Sequence, residues 1–165
     1  MSSKNIPFIE MPGEQLRHLD SNNFYFGKSV TNYMLEADFI NGEWTNAVIK
    51  KYEPLQLEPS TAVFHYGQSI FEGIKAYKGE TDQVVIFRPQ ENYKRFNTSA
   101  ERMQMPTVPE WLFMDGMKQL VKIEQDWIPK GEDHSLYIRP FMIATDPFIG
   151  VRPSSLYKFM IILGP

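Results

Sequence analysis

FHYGQSIFEGIKAY, Phe64 to Tyr77, is the stretch from which the chain is best read. Within it Lys75 alternates with Ile74 and Ala76, so the lysine belongs to the outer face of a strand while its neighbours turn inward. The strand runs into a polar turn, Lys78 to Gln83, and Val84 to Phe87 returns beside it, which predicts a hairpin with Gly73 to Tyr77 as its first arm. Upstream, Asn41-Gly42 separates two strand-like runs, Tyr33 to Ile40 and Trp44 to Tyr52. That is the pattern of a two-residue primed turn.

Downstream the period changes. Pro89 can open a helix because its missing donor is an orphan at that position, and Tyr93, Phe96, Ala100 and Met103 recur at helical spacing before Pro106 stops the run. Pro109 can open a second helix with Leu112, Met117, Leu120 and Val121 as its stripe, and Pro129 stands beyond its close. Leu136 to Ala144 and Leu156 to Leu163 read as two final strands. Strands, two helices and strands again predict an α+β fold, an antiparallel sheet with helices packed on one face. Residues 1–22 are polar and without sustained periodicity, a surface arm; residues 23–165 form the domain. The last strand stops at Gly164-Pro165 with no polar tail, which reads as a domain cut at a connector, with a partner domain expected past Pro165.

Composition narrows the function. The chain has 165 residues, 42% apolar and 22% charged, with a net charge of -3, which is globular and neither disordered nor nucleic-acid-seeking. A chain of this length buries about 70% of its unfolded surface. Without cysteine it has no disulfide framework, no thiolate nucleophile and no cysteine-based zinc site. The start, MSSKNIPFIEMPGEQ, lacks the apolar core of a secretory signal, and the strongest apolar run, FMIIL at 159–163, is far short of a membrane span; a cytoplasmic protein is expected. His18, His65 and His134 have no ligand spacing, so no metal site is predicted. There is no Gly-x-Ser-x-Gly elbow.

One constellation follows from spacing alone. In SLYIRP, Ser135 to Pro140, a strand places Leu136 and Ile138 on one face and Tyr137 with Arg139 on the other, so a hydroxyl and a guanidinium point together and could bind a carboxylate. The plain alternative is a solvated sheet face with Arg139 stacked over Tyr137. Arg95, beside Lys94 on an amphipathic helix, reads equally well as a solvated charge, and Phe26 and Phe71 as core.

Taken together, HYGQSIFEGIKAYKG, FRPQENYKRF, SLYIRP and DPFIGV (146–151), in this order, closely resemble the amino-terminal small domain of the branched-chain amino-acid aminotransferases, fold-type IV pyridoxal-phosphate enzymes. The resemblance runs from about Phe24 to Pro165. It implies pyridoxal 5′-phosphate as cofactor, with Arg95 on the phosphate, since a planar guanidinium suits bidentate grip of that group. It implies a substrate pocket of Phe26, Tyr66, Phe71, Gly73, Tyr137, Arg139 and Val151. Tyr66 and Val151 would reach across a homodimer. Gly73 would admit close approach of substrate, although a bulge explains it as well. Amino and 2-oxo acids would be the substrates, with leucine, isoleucine or valine giving the amino group to 2-oxoglutarate. Arg95, Tyr137 and Arg139 would open on one shared concavity. No catalytic residue is expected within the chain: the family's lysine that joins the cofactor lies beyond Pro165, Lys75 is no substitute, and the isolated chain is expected to be inactive. A D-amino-acid aminotransferase, an aminodeoxychorismate lyase domain and a non-catalytic dimerisation or binding module are the alternatives.

Overall fold

Asn41 and Gly42 both take positive φ, 53° and 84°, and fold β1 (Tyr33–Ile40) back on β2 (Glu43–Lys51). The computed structural model describes residues 5–20, 24–131 and 134–165; the expected boundary between arm and domain, at residues 22 and 23, lies outside them. After β2 come a short helix α1 (Ala62–Tyr66), β3 (Ser69–Phe71), β4 (Ile74–Lys78) and β5 (Val84–Ile86). The helical part follows as α2 (Pro89–Arg102), a π-helical turn (Trp111–Asp115) and α3 (Gly116–Ile123), and β6 (Leu136–Ala144) and β7 (Tyr157–Gly164) complete the sheet. The strand order is β2-β1-β7-β6-β4-β5, with β3 also on β6, and every pairing between named strands is antiparallel. This is the α+β arrangement expected from the sequence.

β3 and β4 are one line of chain against β6. Phe71 lies opposite Phe141 and Ile74 opposite Ile138, with no residue gained or lost between them, so Gly73 is not a bulge. The ladder is interrupted at Pro140: Glu72 donates its N–H to the Pro140 carbonyl at 2.9 Å, and proline has no N–H to return.

The helices cover one face of the sheet. Phe96 of α2, Phe113 of the π-helical turn and Phe159 of β7 meet with ring centroids 5.4–5.9 Å apart and are fully buried. The predicted stripe of Leu112, Met117, Leu120 and Val121 is buried as well. Met103 departs from its expected place: it follows the last residue of α2, at the point where the helix loses its axis, and is 40% exposed. Asn97 locks the following turn to α2, donating to the Val108 carbonyl at 3.0 Å and accepting from the Val108 N–H at 2.8 Å.

The amino-terminal segment is held more firmly than a surface arm. Ile6 is 1% exposed, exchanges two hydrogen bonds with the Gln119 side chain, and the neighbouring backbone bonds both sides of Ile49 on β2. Among the described residues no helix is long and apolar enough to cross a membrane.

Candidate active site

Ile70, Glu72, Ile74 and Ala76 alternate onto the helix-covered face, so the strand that buries three apolar side chains also carries a carboxylate inward. Glu72 is 5% exposed. An unpaired carboxylate there would be costly, and α2 supplies the partners. Arg95 donates through Nε to Oε1 at 2.6 Å and through Nη2 to Oε2 at 2.7 Å, and Asn92 donates to Oε2 at 2.9 Å. These are charge-assisted lengths in a fork-to-fork arrangement. Burial pushes the Glu72 carboxyl up, but the bonds from Arg95 and Asn92 outweigh it and the group sits below the ordinary carboxylate value. Glu72 in turn raises Arg95. The arginine is no loose surface charge. Its side chain is still two-thirds exposed, and among the described residues Nη1 has no partner.

The opposite face of the same strands carries the Tyr137–Arg139 pair. Arg139 donates to the Tyr137 hydroxyl through Nη2 at 2.7 Å and Nε at 3.1 Å, and its guanidinium lies 4.2 Å over the Phe71 ring and 5.2 Å over that of Tyr137. Hydroxyl and guanidinium point together, and the stacking of Arg139 over Tyr137 is present as well. Phe26 meets Tyr137 edge to face at 5.2 Å. Phe26 and Phe71 are 72% and 61% exposed, which sets aside the core reading for both. Phe26, Tyr137 and Arg139 line a cavity of about 210 Å³ whose other walls include Ser29, Val30 and Leu163. Gly73 is the close neighbour of this group: a Cβ there would stand 2.7 Å from the Tyr137 hydroxyl oxygen. The phenol ring occupies the place of the missing side chain.

Arg95 does not line this cavity. The expectation of one concavity for Arg95, Tyr137 and Arg139 is not met in the single chain, because Glu72 draws Arg95 to the helix-covered side while Tyr137 and Arg139 stand on the other. The two groups are nevertheless neighbours in sequence: Glu72 holds Arg95, and the next residue, Gly73, touches Tyr137.

Tyr66 and Val151 fall in a separate hollow, together with Gln68, Arg102, Gln104 and Arg152. Val151 is 94% exposed. Its loop is tied at the base, where Asp146 accepts from Arg152 Nη2 and the Ser155 hydroxyl, each at 2.9 Å, and the Asp146 carbonyl accepts from the Ala62 N–H. Burial pushes the Asp146 carboxyl up, and the Ser155 and Arg152 donors bring it below its usual value.

Glu72 is the site residue that the sequence reading missed. Its inward direction was available from the alternation of Ile70, Glu72, Ile74 and Ala76. Its partner, 23 residues away on a helix, was not.

No family model matches the chain. It is 49% identical over 147 residues, 88% of its length, to Branched-chain-amino-acid transaminase 1 of Bacillus subtilis, and 45% identical over 142 residues to Branched-chain-amino-acid aminotransferase of Mycolicibacterium smegmatis. It spans about two fifths of the length of these curated relatives, 41% and 39%. Among solved structures it is similar to the branched-chain amino acid aminotransferase of Escherichia coli, with TM-score 0.58, 25% identity and coverage of 79% of this chain and 40% of that one. It is also similar to the T.th. branched-chain amino acid aminotransferase complexed with N-(5'-phosphopyridoxyl)-L-glutamate, with TM-score 0.57, 29% identity and coverage of 78% and 40%. By sequence along most of its length the chain is similar to branched-chain amino-acid aminotransferases, and its antiparallel sheet with helices on one face resembles the small domain of those enzymes.

Proposed function

We propose that the chain is the substrate-side and phosphate-side wall of a pyridoxal-phosphate-dependent branched-chain aminotransferase, completed by a larger lysine-bearing domain, in keeping with the two fifths of its relatives' length that it spans. The observation that carries this is the cavity of Phe26, Tyr137 and Arg139, in which aromatic walls stand beside a guanidinium that has no carboxylate partner among the described residues. A transaminase of this kind takes two unlike donors through one pocket. Phe26 and Phe71 receive a branched aliphatic side chain, and Arg139 with Tyr137 receives the side-chain carboxylate of glutamate. The Tyr137 hydroxyl accepts two bonds from Arg139 and keeps its own proton to donate outward. A wholly apolar pocket would bury that carboxylate unpaired, at a cost of several kcal/mol.

The residues present fit the cofactor at its phosphate end. Arg95 has a fixed guanidinium plane with one edge outward, the geometry a phosphate needs for bidentate contact. When bound, pyridoxal 5′-phosphate supplies an aldehyde that carries the amino group from donor to acceptor and a ring that spreads charge from the donor's α-carbon. The chain's own residues bind and orient; Lys75 stays on the open face and takes no part. A homodimer is the proposed assembly, with Tyr66 and Val151 presented to the second copy, and the cytoplasm the proposed compartment. The exposure of Phe64, Phe148 and Ile149 beside those two residues supports the dimer.

Joining the chain after Pro165 to the large domain of the Bacillus subtilis relative tests the reading. Leucine-dependent formation of glutamate from 2-oxoglutarate is expected; conversion with D-alanine and not with L-leucine would point to the D-amino-acid reading, and no conversion with either would remove the catalytic one.

A further inference from the structure

We propose that Glu72 is a positioning residue that fixes the guanidinium plane of Arg95, so that its outward edge meets a phosphate dianion. This rests on the reading of Arg95 as the phosphate ligand. An arginine has five N–H donors arranged on two usable edges. Glu72 takes the Nε–Nη2 edge with two bonds of 2.6 and 2.7 Å, which leaves the Nη1–Nη2 edge without a partner among the described residues. The exposures differ sharply. The Glu72 side chain is 6% exposed and that of Arg95 69%, so the carboxylate is the rigid partner and the guanidinium is anchored to it.

Three further contacts make the anchor stiff. Asn92, three residues before Arg95 on the same helix, donates to Glu72 Oε2 and also to the Gly73 carbonyl at 3.3 Å. The Glu72 backbone is held to Pro140. Strand and helix are thus joined at one carboxylate, and an otherwise mobile side chain is held in one orientation before any ligand arrives. Preorganisation of this kind saves the ordering cost of a long side chain on binding. It also has an electrostatic cost, because a carboxylate beside the arginine repels an incoming anion. The two effects have opposite signs, and a substitution can therefore separate them.

The test is titration of the ¹⁵N-arginine-labelled chain with inorganic phosphate, in which side-chain NMR of Arg95 reads its orientation and isothermal titration calorimetry reads the binding response of each variant. In the wild type the Nε–H is expected to exchange slowly and to stay put during the titration, while the Nη1 and Nη2 signals move. In Glu72→Gln the Nε–H loses its protection and the phosphate affinity falls about tenfold, the equivalent of ~1.4 kcal/mol. Equal or tighter phosphate binding by Glu72→Gln, with the response abolished in Arg95→Ala, overturns the positioning role and leaves the phosphate assignment standing. An unchanged response in Arg95→Ala overturns that assignment and the positioning role with it. Should Glu72→Gln fail to fold, the wild-type spectrum still decides: an Nε–H that exchanges freely, or shifts as far as Nη1, overturns the proposal.

Discussion

Arg95 and Arg139 lie on opposite faces of the same three-strand segment and are held by opposite means. Arg95 is clamped by a buried carboxylate through a fork of two charge-assisted bonds. Arg139 rests on two aromatic rings and donates to a neutral phenol. The first has its charge largely matched inside the protein and contributes to the join between strand and helix. The second keeps its full charge for whatever enters the cavity. One sheet therefore presents two cations of different character, one fixed in direction and one unmatched in charge among the described residues, and this difference suits a pair of unlike anions.

The contrast is broken most severely from the Arg95 side. Arg95→Ala strands the Glu72 carboxylate in the interior, and the loss of thermal stability is expected to exceed that of every other substitution named here, as measured by Tm at neutral pH. Gly73→Ala attacks the other side: the added methyl meets the Tyr137 hydroxyl at 2.7 Å and must displace the ring from Arg139. A cost of about 1–3 kcal/mol is expected by urea denaturation, with the Phe26 and Tyr137 NMR signals shifted and those of Arg95 unmoved. Tyr137→Phe keeps the ring and removes the hydroxyl, acceptor and donor together. It should lower stability by no more than about 1 kcal/mol, and the proposed function adds that the chain joined to a relative's large domain loses rate with glutamate more than with leucine.

The subtlest test compares Glu72 with a second buried carboxyl, Glu124, which accepts from the Tyr33 N–H at 2.6 Å and whose other donors, Thr31 and Asn32, are neutral. Burial dominates there and raises the Glu124 carboxyl above its ordinary 4.5, in spite of those donors. The signs follow from linkage. Glu72, lowered in the fold, contributes stability that is present above pH 4.5 and is lost as pH falls through its folded value. Glu124, raised, contributes stability that is present below pH 4.5 and is lost as pH rises through its folded value. Glu124→Gln should therefore gain on the wild type as pH is raised from 4.5 through the folded value of Glu124, whereas Glu72→Gln should lose ground at lower pH, as pH is raised from the folded value of Glu72 to 4.5. Parallel Tm curves for the three proteins would dissolve the distinction.

Much of the fold was legible because its signals are local. The Asn41-Gly42 turn, the helix opened by Pro89 and the alternation of β6 depend on neighbours within a few residues, and each appears where spacing placed it. The short α1 left no periodic trace, since five residues make little more than a turn before Gly67 closes it at φ 63°. The separation of Arg95 from the Tyr137–Arg139 cavity was hidden for another reason. It depends on which face of the strand carries a carboxylate and on a partner brought in by a distant helix. Phe26 and Phe71 remained ambiguous because an aromatic residue in a strand-rich segment looks the same whether it fills a core or walls a cleft; only their exposure separates the two.

The strap from Ile6 to Ile9 has a consequence for how the protein behaves at high concentration. β2 is one of the two edge strands of the sheet, and the strap satisfies the N–H and carbonyl of Ile49 while Ile6 plugs the gap beside Gln119. Clipped by a protease or shortened in cloning, the chain would bare that rim and a greasy notch at once. The trimmed form should stack on itself and cloud in solution well before its interior melts.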